Sequence, residues 1–259
     1  GRVMEFGGGI PSEGLRGVVK QYLDISTEVE FSNSLLPDTR LTVAFRYRGQ
    51  GWMGESGVVL AMPRLAISGI RETARKVVHS PGGLFITQFT ELGAAAVFGL
   101  PLHELRGSLV GFDSVFGAVI GRELEDRLSE ADGVGGRIRA MEGFLASRLA
   151  GWDQDGEAAL AVEKIQAARG QLRVRELARE IGLSQSALER RFRQAVGTSP
   201  KHFASLVRMQ YVIDQHDRGK NLGDLAQEAG FYDQAHFAHA FKAFAGEPAE
   251  SYFQSAHRW

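Results

Sequence analysis

The sequence predicts an α+β protein, with a β-rich, barrel-like N-terminal domain carrying trailing helices and an all-α C-terminal domain behind it. Three observations predict this. Apolar residues alternate with a period of two from Leu41, the period becomes helical after about residue 112, and two stretches of the helical half repeat one another. With 259 residues the chain exceeds the usual size of one compact domain. The polar segment GWDQDGE, residues 151–157, is the expected boundary, which gives domains 1–152 and 153–259.

In the first half, Leu41, Val43, Phe45 and Tyr47 fall on one face of a strand, with Thr42, Ala44, Arg46 and Arg48 on the other, the pattern of a half-buried strand. GVVLAMP (57–63), the stretch from Leu65 to Val78, and LFITQF (84–89) continue as short β-rich runs. RGQGWMGESG and SPGG supply the turn chemistry between them. Residues 10 to about 110 therefore read as an antiparallel sheet or barrel. DSVFGAVIGRELEDRLSEA then opens with Asp113, suited to N-capping, and carries Val115, Phe116, Val119, Leu124 and Leu128 at helical spacing. GGRIRAMEGFLASRLAG predicts a second helix ending at a glycine, and from Glu157 onward the pattern is helical throughout.

Composition narrows the function classes. Basic and acidic residues nearly cancel, 30 against 31, so charge has to be read locally. The absence of cysteine excludes disulfides, thiolate zinc sites and thiol nucleophiles. No apolar run reaches the length of a membrane span and the start, GRVMEFGGG, lacks a secretory core, so a cytoplasmic protein without membrane contact is expected. Gly1–Val3 read as residues added ahead of a native start at Met4. No phosphate loop, nucleophile elbow or cofactor fingerprint is present, and adjacent pairs such as Asp113 with Ser114 or His103 with Glu104 diverge, so no enzyme activity and no cofactor are expected.

The repeat is the most informative feature. LRVRELAREIGLSQSALERRFRQAVGTSPKHF (172–203) aligns with LGDLAQEAGFYDQAHFAHAFKAFAGEPAESYF (222–253). Leu177, Ala178, Glu180 and Gly182 match Leu225, Ala226, Glu228 and Gly230; Leu188, Phe192 and Gly197 match Phe237, Phe241 and Gly246. Each copy reads as a short helix with a Leu-Ala pair, a glycine turn, a Ser or Asp cap, and a second helix ending at glycine. That is helix-turn-helix grammar, placed at about 172–197 and 222–246. In the first copy Leu188, Phe192 and Ala195 make the buried stripe, leaving Gln185, Ser186, Glu189, Arg190 and Arg193 opposite it. These side chains can reach base edges and phosphates, since arginine pairs with guanine and glutamine with adenine in bidentate fashion. A solvated face on an ordinary packed helix is the plain alternative. Residues 155–259 carry 14 basic against 13 acidic residues, so the electrostatic argument rests on the local cluster Arg190, Arg191 and Arg193, with Arg173, Arg175 and Arg179 just upstream as either further contacts or solvated residues.

Residues 164 to 253 resemble the DNA-binding region of AraC-type transcription regulators. The resemblance rests on both helix-turn-helix units, on GTSPKHF with Gly197, Pro200 and Phe203, and on HFASLVRMQYVID as the connecting helix. It implies double-stranded promoter DNA as partner, two recognition helices in successive major-groove segments, and RNA polymerase as a further partner if the protein is an activator. Carried over by position, the base-facing residues are Gln185, Ser186, Glu189 and Arg190, then Gln234, Ala235, Ala238 and His239, with Lys242 and the helix N-terminus positioned for phosphate. The second copy departs from the family pattern. Pro248 stands one position early, Gln215 and His216 replace apolar residues, and Ala235 and Ala238 offer little beyond a methyl contact. The first recognition helix is therefore expected to lead sequence reading.

FGLPLHEL within residues 81–117 is similar to a phrase in the N-terminal domains of a subset of these regulators. That resemblance implies a β-rich sensor for an unknown small effector, and a possible homodimer is consistent with it. Phe45, Tyr47, Trp52 and His79, with Arg46 or Arg48, are the candidate lining; aromatics as sheet core with solvated arginines is the alternative. His236 and His239 lie three apart but lack two further ligands, so no metal site is expected. An architectural or partner-binding protein that has lost specific DNA recognition is the rival reading, motivated by the neutral charge and the alanine-rich second helix.

Overall fold

The computed structural model describes residues 4–55 and 57–255, so Gly1–Val3, read above as added residues, lie outside the described part. Ten strands come first: β1 Met4–Gly9, β2 Val19–Thr27, β3 Phe31–Leu35, β4 Thr42–Arg48, β5 Gly51–Glu55, β6 Val58–Ala61, β7 Leu65–Ser68, β8 Arg75–His79, β9 Gly82–Phe89 and β10 Leu109–Gly111. They form a six-stranded sheet in the order β1-β2-β9-β4-β7-β10 and a four-stranded sheet in the order β3-β8-β5-β6. Every pairing is antiparallel. The stretch from Leu65 to Val78 thus divides between the two sheets, with β7 in the larger and β8 in the smaller.

The alternation read in β4 survives, but its second face is not solvent. Val43, Phe45, Phe85 and Phe89 are 2% exposed or less and point to a core shared with helices, where Phe89 meets Phe98 and Phe98 meets Phe116 edge to face. Thr42, Ala44 and Arg46 point the other way, into a cavity between the two sheets. A strand buried on both sides in this way keeps its period of two while its polar face is enclosed.

Eleven α-helices are described: α1 Gly93–Phe98, α2 Asp113–Phe116, α3 Ala118–Glu130, α4 Gly133–Arg148, α5 Gly156–Ala167, α6 Val174–Ile181, α7 Gln185–Val196, α8 Pro200–Asp217, α9 Leu222–Glu228, α10 Gln234–Ala245 and α11 Ala249–Gln254. Asp113 is the first residue of α2 rather than a cap, and the expected single helix breaks at Gly117, whose φ of 88° and ψ of 159° interrupt the helical path. Asp155 does cap α5, accepting a hydrogen bond from Ala158 N. Among the described residues no helix is long and apolar enough to cross a membrane. One apolar core runs from Leu15 through the sheet and helices to Tyr252, so the sheet-rich and helical regions pack on each other directly.

Candidate nucleic-acid interface and the cavity behind it

The repeat folds as two helix-turn-helix units. In the first, α6 ends at Gly182 with a left-handed φ of 84°, Ser184 caps α7 by accepting from Ala187 N, and α7 ends at Gly197 with φ 105°. In the second, Gly230 has φ 77°, Asp233 caps α10 by accepting from His236 N, and α10 ends at Gly246 with φ 77°. Side chains other than glycine disfavour that region, so these positions hold the turn geometry. Leu188 and Phe192 in α7, and Phe241 in α10, are fully buried, while Phe237 is 4% exposed. Each such side chain contributes about 1.5–3 kcal/mol by leaving water.

The opposite faces are solvent-exposed. On α7 these are Gln185, Ser186, Arg190 and Arg193, with Glu189 half-buried and accepting a hydrogen bond from Gln185 Nε2 at 3.0 Å. On α10 they are Gln234, Ala235, Ala238, His239 and Lys242. Arg191 does not join its neighbours: its Nη1 pairs with Glu157 at 2.9 Å and Asp155 at 3.5 Å, tying α7 to the start of α5. The local basic cluster therefore reduces to Arg190 and Arg193. Arg173, Arg175 and Arg179 are exposed on or beside α6. Tyr232 was not singled out by the sequence and is 92% exposed immediately before the cap of α10, adding a phenol to that end of the helix. The signal was present: an aromatic between buried Phe231 and the capping Asp233 has no packing role to play. His236, exposed at the start of α10, accepts a hydrogen bond from Tyr232 N at its Nδ1, 3.3 Å away.

A polar clamp sets the two units against one another. Arg169 Nη1 donates to the Tyr211 hydroxyl at 2.7 Å, and that hydroxyl donates to Glu228 Oε1 at 2.6 Å. Lys220 pairs with the same carboxylate at 3.5 Å, while Gln171 Nε2 reaches the Glu228 carbonyl at 2.9 Å. The Tyr211 hydroxyl, above all, holds the Glu228 carboxyl below its ordinary range. Members of the clamp come from the entry to the first unit, the connecting helix α8 and the end of α9. These hydrogen bonds link the residues that flank both units. Pro248 serves as N-cap of α11 without a side-chain cap bond, whereas in the first unit Ser199 caps α8 and Pro200 follows at the first helical position. His216, polar where an apolar residue was expected, spends its ring on Phe253 at a centroid distance of 3.8 Å.

Behind this region, the two sheets enclose a cavity of about 520 Å³ lined mainly by apolar side chains. Of the candidate lining residues, His79 and Arg46 face it; Phe45, Tyr47, Trp52 and Arg48 are not among its walls. Phe45 belongs to the helix-facing core, and Tyr47 donates its hydroxyl to Asp24 at 2.8 Å beneath the Arg137 guanidinium. Trp52 sits on β5 opposite Ala61, and Arg48 pairs with Glu28 at the surface. At one end of the cavity Arg46 and His79 are both 6% exposed. At the other, Arg71 donates to the Leu36 carbonyl and to Ser68 Oγ, and burial lowers it to about 10. Asp38 also stands at that end, accepting from Gln88 Nε2 on the cavity side at 3.3 Å and from Gln210 Nε2 of α8 at 3.4 Å. Asp38, Leu35 and Arg71 line both this cavity and a second one, of about 400 Å³, against α8, Phe244 and Tyr252. The LPLHEL phrase touches the first unit, with Gly197 close against Leu102.

Residues 177–255 match the family model described as a helix-turn-helix domain. No curated protein matches the chain. Among solved structures, ToxT from Vibrio cholerae is similar at 10% identity over 97% of this chain and 98% of that one, with a TM-score of 0.49. The C-terminal domain of AraT, a response regulator from Geobacillus stearothermophilus, matches at 21% identity over 40% of this chain and 89% of its own, with a TM-score of 0.37. The AraC-like transcriptional activator CuxR matches at 12% identity over 86% and 90%, with a TM-score of 0.31. The C-terminal region is an AraC-type helix-turn-helix domain, preceded by a sheet-rich region.

Proposed function

We propose that this protein is a sequence-specific DNA-binding transcription regulator whose DNA affinity is set by a small effector in the cavity between the two sheets. The observation that carries the DNA-binding part is the pair of helix-turn-helix units, each with a capped recognition helix and an exposed face, linked by the Arg169–Tyr211–Glu228 hydrogen bonds. Gln185, Ser186, Glu189, Arg190 and Arg193 read bases and phosphates from α7; Gln234, Ala235, Ala238, His239 and Lys242 act from α10, mainly by positioning. Effector control is supported by the shared wall: Leu35, Asp38 and Arg71 line both this cavity and the one against α8, and the Asp38 carboxylate holds a cavity glutamine and a glutamine of α8 at once. An occupant that shifts Asp38 changes a contact of the helix connecting the two units.

Binding selection from random duplexes with the full chain at moderate salt tests the DNA part. One enriched motif is the expected result. Binding without any enriched motif would favour the architectural alternative, for which the alanine-rich face of α10 is the supporting feature. Effector control predicts that Asp38→Ala changes the affinity for the selected motif although Asp38 lies outside both recognition helices. An unchanged affinity removes the shared wall as the route.

A further inference from the structure

The turns of the two helix-turn-helix units differ by one residue. Between Gly182 and the cap Ser184 stands Leu183 alone, whereas between Gly230 and the cap Asp233 stand Phe231 and Tyr232. Phe231 takes the packing role that the partly buried Leu183 has in the first unit. It is 9% exposed, its ring meets Phe237 at 5.2 Å and His236 at 5.3 Å, and the Arg208 guanidinium lies over it at 5.3 Å. Tyr232 is therefore the additional residue, and it is 92% exposed. Among the described residues its side chain makes no hydrogen bond and no ring contact.

An exposed ring by itself is ordinary on a protein surface. Tyr232 differs because a bare side chain stands on a backbone held from both sides. Its own N–H donates to His236 Nδ1 at 3.3 Å, the Phe231 N–H to the Ala226 carbonyl at 3.0 Å, and the His236 N–H to Asp233 Oδ1 at 2.7 Å. The phenol is left to solvent immediately before the exposed face of Gln234, Ala235, Ala238 and His239. Resting on the DNA-binding reading above, we infer that Tyr232 is a DNA-positioning residue whose hydroxyl donates to a backbone phosphate oxygen beside the groove that α10 enters. The turn favours phosphate over a base edge. Tyr232 precedes the helix and its cap, so with α10 in the major groove it stands at the groove's rim, where the sugar-phosphate strand runs. A phenol hydroxyl is an uncharged donor suited to a phosphate oxygen. The short side chains of Ala235 and Ala238 let the helix approach closely, which brings a long side chain ahead of it within reach of the strand. The extra residue thus supplies a polar contact that the alanine-rich face lacks.

The test titrates the full chain, Tyr232→Phe and Tyr232→Ala with the selected motif, its single-base variants and an unrelated duplex, across a salt series. Both variants should bind the motif and the unrelated duplex about tenfold more weakly, the size of one lost hydrogen bond to a charged oxygen. Base preference and the salt dependence of binding should stay as in the wild type, because an uncharged donor displaces no counterion. Melting temperatures should also stay unchanged, since the side chain packs on nothing. Should Tyr232→Ala lose stability, Tyr232→Phe decides, because it keeps the ring and removes only the hydroxyl. Wild-type affinity in Tyr232→Phe would overturn the hydroxyl contact. A shifted base preference would make Tyr232 a reader of bases and overturn the phosphate assignment. Unchanged affinity in both variants, with a motif still enriched by the wild type, overturns this inference alone and leaves the ring to a protein partner. A wild-type chain that binds no duplex overturns the DNA-binding reading together with it.

Discussion

Helices α7 and α10 each start after a capped glycine turn, enclose a phenylalanine at 0% exposure and end at a left-handed glycine, yet they present different faces to solvent. The first shows Gln185, Ser186, Arg190 and Arg193; the second shows Ala235, Ala238, His239 and Lys242 beside Gln234. The shared part is what packing requires, because removing Phe192 or Phe241 would open a cavity in the core of its unit. The differing part contributes nothing to packing, so it is free to specialise. The difference teaches that fold and exposed surface are separable in this domain, and the proposed function has one unit read while its twin positions.

The largest effect tests the shared part. Phe192→Ala and Phe241→Ala should each destabilise the chain by about 3–5 kcal/mol, measured by denaturant unfolding; a cost in only one helix would break the equivalence of the two cores. Next comes the differing part. Arg190→Ala should weaken specific binding by about 1–3 kcal/mol and relax base choice at one position, read by competition with single-base variants of the selected site. Retained specificity would move sequence reading away from α7. Removing either cap, Ser184→Ala or Asp233→Ala, should cost about 1 kcal/mol of stability in both units alike; unequal losses would show that the two turns are not held in the same way. Lys242→Ala should lower affinity evenly across sequences and reduce the salt dependence of binding by about one unit of slope. A change in base preference instead would make α10 a reader. The smallest effect is assigned to His239→Ala, below that of Arg190→Ala in the same titration, and the reverse order would invert the division of labour.

Much of this domain was legible because its signals are local. Ser184, Gly182, Asp233 and Gly230 act within one turn of where they stand, and the spacing of Leu188 and Phe192 states which side is buried. Arg191 was misread for the opposite reason. Its partners Asp155 and Glu157 lie more than thirty positions upstream, and helical spacing carries no record of them. In the N-terminal region β4 was legible as an alternating strand, but a period of two says only that two faces exist. It does not say that the Thr42, Ala44 and Arg46 face meets a second sheet rather than water. The sequence accordingly leaves the aromatics of β4 between a pocket and the sheet core, and the structure decides: Phe45 lies in the helix-facing core and Arg46 lines the cavity.

The sequence by itself determined the order of sheet and helices, the duplication of the helix-turn-helix unit, its turns and caps, and the stripe each recognition helix buries. These follow from interactions among residues a few positions apart, which the chain spells out directly. Only the tertiary structure decided which polar residues remain free. It withdrew Arg191 into ion pairs, placed Tyr211 between Arg169 and Glu228, enclosed Arg46 with His79 and set Asp38 between the cavity and α8. The physical reason is that a charge's role depends on its partners and its solvent, and both are assigned when distant segments meet.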